Sequence, residues 1–151
     1  MITLRHTSSN DPHFIILVKA LDEDLAIRDG EDHEFYHQFN SIEDIKYALV
    51  AYMGTTPVGC GAIKQLDDTA MEVKRMYTLP SQRDNGIASL ILDELEKWAR
   101  ELGFDCCRLE TGKQQPEALA LYTKKGYKII SNYGQYMGVE NSVCFQKELK
   151  N

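Results

Sequence analysis

One helix constrains the rest of this chain. Ile87, Ile91, Leu95, Trp98 and Leu102 recur at spacings of four, four, three and four, with Asp93, Glu94, Lys97 and Glu101 on the other faces. That is the 3.6-residue period of a helix that buries one stripe and wets the rest. Gly103 supplies its stop. Such a stripe needs an apolar surface, and the preceding chain offers one. Tyr47 to Met53, Val58 to Leu66 and Met71 to Leu79 are strand-like runs punctuated by Gly54-Thr55-Thr56-Pro57 and Asp67-Asp68, which predicts three consecutive antiparallel strands.

The remaining segments extend this pattern. Ile2 to His6 alternates like a short strand, and Asn10-Asp11-Pro12 supplies an N-cap and a first-turn proline for a helix running to about Arg28. Asp29-Gly30 breaks it, and Glu31 to Phe39 reads as a second short helix. After Gly103, Cys106 to Thr111 reads as a buried strand and Pro116 to Lys125 as a helix closed by Gly126; Tyr127 to Ile130 and Val143 to Leu149 finish the sheet. This order predicts an α+β (mixed α/β) fold, a mostly antiparallel central sheet of about six to seven strands flanked by about four helices.

At 151 residues the chain closes one sizeable core, so residues 1–151 are expected to form a single domain. A formal charge of -6 repels phosphate backbones and argues against a nucleic-acid partner. A small anion can still be held locally by backbone dipoles. The four cysteines lack C-x-x-C spacing, which suits reduced thiols. Met1 to Asn10 carries no signal-peptide pattern, and no apolar run has the length of a membrane span. A cytoplasmic protein with no membrane partner is the expectation.

The most informative segment is Leu79-Pro80-Ser81-Gln82-Arg83-Asp84-Asn85-Gly86-Ile87-Ala88, which joins a predicted strand to the start of the strongest helix. The first N–H groups of a helix have no internal acceptor, and its macrodipole places about half a positive charge there. Pyrophosphate can dock at such an end, with Gly86 and Ala88 permitting close approach and Arg83 adding charge. The same residues also fit a plain strand-to-helix turn.

Here the chain resembles the GNAT superfamily of N-acetyltransferases, whose acetyl-coenzyme A loop Q/R-x-x-G-x-G/A is matched by Arg83, Gly86 and Ala88. Glu72-Val73-Lys74-Arg75-Met76-Tyr77-Thr78-Leu79-Pro80 resembles the family's fourth strand. Ala120-Leu121-Tyr122-Thr123-Lys124-Lys125-Gly126-Tyr127 resembles its later helix-to-strand signature. The matches cover Val58 to about Ile130. The resemblance implies a GNAT-like fold, acetyl-CoA as co-substrate without a metal, and transfer of acetyl to a small-molecule or peptide amine; homodimers are common in the family. It implies coenzyme contacts from Met76, Tyr77, Thr78, Arg83, Asp84, Asn85, Gly86, Ile87 and Ala88. Many members carry glycine directly after the loop arginine; Asp84 here puts a negative charge beside the pyrophosphate site, so weaker coenzyme binding is expected if it faces the ligand.

The resemblance also implies the chemistry. Tyr122 stands where the family places a tyrosine near the coenzyme sulfur, able to donate to the departing thiolate; without the family, a helix tyrosine packs its ring. Glu72 matches the general-base glutamate of some members, acting through a water, and is otherwise an ordinary strand carboxylate. Glu110 ranks behind it. Phe35, Tyr36, Phe39 and the loop Tyr133-Gly134-Gln135-Tyr136 fall where the family binds amines, or they pack a core. Arg75 either pairs with an acceptor carboxylate or bridges to a neighbour.

Two rival readings remain. His33-Glu34-Phe35-Tyr36-His37 spells H-E-x-x-H, the pattern in which two histidines a helical turn apart bind zinc and the glutamate activates water. It follows the acidic run Asp29-Gly30-Glu31-Asp32 rather than an apolar stretch, and no histidine follows it. The other is a non-catalytic acyl-CoA-binding module on the same fold.

Overall fold

The computed structural model describes residues 1–29 and 45–149. β1 (Ile2–Thr7) leads into α1 (Pro12–Asp29), then come β2 (Tyr47–Met53), β3 (Thr56–Gln65) and β4 (Ala70–Thr78). A short 3-10 turn (Pro80–Gln82) precedes α2 (Ile87–Glu101), followed by β5 (Cys106–Gly112), α3 (Pro116–Lys124), β6 (Lys128–Ile130), a second 3-10 turn (Gly134–Tyr136) and β7 (Ser142–Glu148). The seven strands form one sheet in the order β1-β2-β3-β4-β5-β7-β6. Every pairing is antiparallel except β4 with β5. Three helices rather than about four lie among the described residues; the expected helix at Glu31 to Phe39 and the His33–His37 motif fall outside them.

Helices cover both faces of the sheet, and alternation along each strand decides which residues meet which helix. On β2, Leu49 and Ala51 join α2 residues Ile87, Ile91, Leu92, Leu95 and Ala99 in one core, while Ala48, Val50 and Tyr52 join Phe14, Leu17, Val18 and Leu21 of α1 in another. The α2 stripe differs slightly from its sequence reading. Leu92 and Ala99 complete it, Trp98 stacks on His6 at 3.9 Å between ring centroids, and Leu102 is exposed beyond the helix end.

α2 lies close to β3 because β3 presents no side chain there. A Cβ on Gly61 would come within 2.7 Å of Met76 Sδ, 2.8 Å of Ile91 Cγ2 and 2.9 Å of Leu95 Cδ1. α1 is capped by Asp11, whose Oδ1 accepts the N–H groups of His13 at 2.8 Å and Phe14 at 3.3 Å. Burial pushes the Asp11 carboxyl up, but hydrogen bonds from the Thr7 hydroxyl and these amides outweigh it and hold the group below its ordinary range.

At the far side, Glu96 of α2 is a buried carboxylate that accepts from Tyr127 Oη at 2.9 Å and pairs with Lys147 Nζ at 2.9 Å. This triad pins α2 to β7. All four cysteines are buried free thiols, as their spacing suggested.

Candidate functional site

The sheet comes apart in its middle. β4 and β5 pair only where Ala70, Met71 and Glu72 face Cys106, Cys107 and Arg108. Beyond that point β4 follows β3 and β5 follows β7 out to Gly112. The gap leads to two cavities of about 120 Å³ and 370 Å³ that share Leu21, Met76, Gln115, Ala118 and Tyr122.

The larger cavity runs along the end of β4 to the start of α2. Met76, Tyr77 and Thr78 line it together with Arg83, Asp84, Gly86, Ile87 and Ala88. Gly86 sits at the N-cap with φ +77° and supplies no side-chain cap; the first helical bond runs from Leu90 N–H to the Gly86 carbonyl at 3.1 Å. The amides of Ile87, Ala88 and Ser89 therefore stand at an open, partly positive helix end.

Asp84 has φ +68°, a left-handed conformation that glycine adopts freely and that Asp tolerates better than most residues. That explains why glycine is common here in the family the sequence resembles. Arg83 does not reach out from this loop. Its Nε donates to the Thr78 carbonyl at 3.0 Å, its guanidinium lies 5.6 Å from the centre of the Tyr77 ring, and Nη2 is 3.8 Å from Asp24 Oδ2.

The smaller cavity lies deeper in the split, and a bulge shapes its wall. Register between β3 and β4 jumps from Cys60 opposite Tyr77 to Ala62 opposite Lys74, so Arg75 and Met76 together face Gly61. Arg75 carries the bulge with φ +60°. The extra residue reverses alternation: Met71, Val73 and then Met76 face the α2 core, while Tyr77 joins the α1 core. Glu72, Lys74 and Arg75 thereby all turn toward the α1 side and line the cavity with Glu110, Tyr122 and Tyr136.

The charged groups here are held. Glu72 Oε2 accepts from Tyr133 Oη at 2.6 Å and Oε1 lies 3.6 Å from Lys74 Nζ. Ser142 Oγ donates to Glu110 Oε2 at 2.6 Å. Tyr122, 6% exposed, packs its ring against Tyr127 and Phe145, and burial, aided by the charge of Glu110, pushes its phenol above the ordinary range. Burial likewise raises Tyr133, reinforced by Glu72, and Tyr136, reinforced by Glu110.

Most residues singled out in the sequence thus converge. Tyr122 and Met76 stand where the cavities meet, Glu72 and Glu110 share the smaller one, and the loop residues line the larger, except Asn85, which is not among its lining residues. Phe35, Tyr36 and Phe39 lie outside the described residues. Sequence reasoning missed Gln115, which borders both cavities, and Ser89, whose amide belongs to the open helix end. The proline after Gln115 and the position of Ser89 in the first turn of α2 were the available signals. Among the described residues no three His, Cys, Asp or Glu side chains cluster as a metal site, and no helix is long and apolar enough to cross a membrane.

The chain is similar to known proteins in sequence and in fold. The acetyltransferase (GNAT) family pattern matches residues 15–127. An IAA acetyltransferase of Azospirillum brasilense is 37% identical over 107 residues, covering 70% of this chain and 69% of its own. A crystal structure from Klebsiella pneumoniae subsp. pneumoniae MGH 78578, named as a candidate acyl-CoA N-acyltransferase, superposes with a TM-score of 0.84 at 30% identity over 99% of both chains. The PaiA N-acetyltransferase of Thermoplasma acidophilum, solved with coenzyme A, shares the fold at a TM-score of 0.74 and 22% identity, covering 98% of this chain and 99% of its own. A sheet parted between β4 and β5, an open helix end beside the parting and a match over residues 15–127 have one common explanation: the chain belongs to the GNAT family of acetyltransferases.

Proposed function

We propose that this protein transfers the acetyl group of acetyl-CoA directly to a primary amine, with Tyr122 assisting the leaving thiolate and Glu72 receiving the amine proton through water. The observation that carries this reading is the meeting of two cavities at Tyr122 and Met76. A long channel beside an uncapped helix end suits the coenzyme, and a compact, charged cavity suits the acceptor. Pyrophosphate would sit on the amides of Ile87, Ala88 and Ser89, and the pantetheine arm would lie along Met76, Tyr77 and Thr78, the stretch of β4 that β5 leaves unpaired. That PaiA was solved with coenzyme A supports the assignment.

The amine nitrogen attacks the thioester carbonyl, a carbon–nitrogen bond forms and the carbon–sulfur bond breaks. The nitrogen loses a proton toward Glu72, and the sulfur leaves as thiolate and finally takes up a proton to give free coenzyme thiol. A phenol raised by burial keeps its proton. Tyr122 therefore acts as a hydrogen-bond donor to the thiolate as negative charge builds on sulfur. No acyl-enzyme is needed, since donor and acceptor share one junction. The cysteines suit no such role either: none lines either of these two cavities, and burial pushes Cys60 and Cys107 up to about 12.

The test is a thiol-release assay with acetyl-CoA and a panel of primary amines, run on the wild type and on Tyr122→Phe. Loss of the donor should lower kcat by roughly 100-fold or more, with calorimetric acetyl-CoA binding retained. Double-reciprocal plots should intersect. Parallel plots would replace direct transfer with a covalent intermediate, and folded protein that binds no acetyl-CoA would end the reading.

A further inference from the structure

Resting on that reading, the structure assigns a chemical class to the acceptor: we propose that it is a small amine that also bears a carboxylate, as an α-amino acid does, and that Arg75 binds the carboxylate. The Arg75 side chain is 3% exposed, yet it has one charged partner among the described residues, Asp22 Oδ1, which meets Nη1 at 2.9 Å and belongs to a side chain 28% exposed. Nε is buried without a hydrogen-bond partner among the described residues, the one side-chain nitrogen or oxygen there of which this is true.

Guanidinium stays charged when buried, and its natural match is a carboxylate taken two-pronged along one edge. Asp22 occupies Nη1, and Nε is left without an acceptor among the described residues. Native proteins rarely orphan a buried donor, and an acceptor supplied by a ligand accounts for this one.

Two further features point the same way. Arg75 lines the smaller cavity, and the left-handed bulge at its own backbone sets it on the same face of β4 as Lys74. Regular alternation would send Lys74 and Arg75 to opposite faces; the bulge sets both cations on one. Strain of this kind persists where the surrounding structure holds it for a purpose. The same cavity is bordered by Glu72, Glu110, Tyr122 and Lys74, so its wall carries both signs: carboxylates, one of them paired with Lys74, and the Arg75 guanidinium. A zwitterionic acceptor complements both. A plain polyamine would leave Arg75 unanswered.

The experiment uses the whole protein with saturating acetyl-CoA and the proteinogenic L-amino acids, each assayed beside its own carboxamide and its decarboxylated amine. At least one acid should be acetylated with kcat/KM roughly tenfold or more above its carboxamide, because a buried donor left unpaired penalises the neutral analogue. Arg75→Gln should collapse that ratio toward unity through KM for the acid, and Arg75→Lys, which keeps charge but loses the planar edge, should fall between. Acetyl-CoA calorimetry on each variant reports whether it has folded, and the wild-type comparison needs no variant at all. Equal rates for every acid and carboxamide, faster turnover of the decarboxylated amines, a preference that survives in folded Arg75→Gln, or no reactive acid while other amines are acetylated would each overturn the proposal and leave the acetyltransferase reading intact. Absence of acetyl-CoA binding would overturn both.

Discussion

Gly61→Ala tests the contact on which the site's geometry depends. The new Cβ would lie 2.7 Å from Met76 Sδ, 2.8 Å from Ile91 Cγ2 and 2.9 Å from Leu95 Cδ1, all closer than carbon and sulfur tolerate. Ile91 and Leu95 are fully buried and have little room to yield. The Met76 side chain is the flexible neighbour, and it stands where both cavities meet. Overpacking of this kind costs about 1–3 kcal/mol; for a chain this long, 2 kcal/mol lowers Tm by roughly 4–8 °C. The displaced Met76 should also raise KM for acetyl-CoA. Thermal unfolding by circular dichroism gives the first quantity and thiol-release kinetics the second. In a double variant with Met76→Ala the sulfur clash disappears, so the losses should fall short of additive. A Gly61→Ala protein with unchanged Tm and KM would refute the close seating of α2 on β3.

Asp84→Gly should tighten acetyl-CoA binding by roughly fivefold at low salt, on the order of 1 kcal/mol for a carboxylate removed from beside a pyrophosphate, with the gain shrinking as salt rises. Calorimetry at two ionic strengths checks it, and an unchanged Kd would mean the carboxylate points away from the ligand. Lys147→Met leaves Glu96, 3% exposed, with only the Tyr127 hydroxyl of its triad. It should lose about 2–3 kcal/mol in urea unfolding, below the usual cost of breaking a buried pair because Lys147 is itself 27% exposed; unaltered stability would show that water already solvates Glu96.

Much of the fold was legible because its signals are local. The α2 stripe and its glycine stop, the punctuated strands before it and the prolines opening α1 and α3 each declare themselves within a few residues. The loop that leads into α2 was legible for the same reason. What stayed hidden depends on partners distant in sequence or on backbone conformation without a marker. Glu72 meets Tyr133, 61 positions further along the chain, and neither run of sequence names the other. The bulge carries arginine where glycine would have announced a left-handed residue, so period-two reading puts Lys74 and Arg75 on opposite faces. The sequence places the charge of Arg83 at the start of α2; that its side chain lines the larger cavity while bonded to the Thr78 carbonyl and lying near the Tyr77 ring has no local marker. Asp84 shows the converse: it stood out as a departure from a family glycine, and its positive φ supplies the reason.

The brevity of the β4–β5 pairing also bears on how the molecule opens. β1 to β4 form a meander in which each strand pairs with its successor, β1 with β2 across the whole of α1 and β2 to β4 across short turns, and β5, β6 and β7 make a second antiparallel group. The two groups are joined by three parallel residue pairs, fewer than hold β2 to β3 or β5 to β7, so this joint has the fewest backbone bonds to lose between them. Opening should therefore begin at this seam. Amide exchange at residues 70–72 and 106–108 would then run ahead of exchange in the β2–β3 ladder, placing the least protected joint of the sheet beside the cleft that ligands must enter.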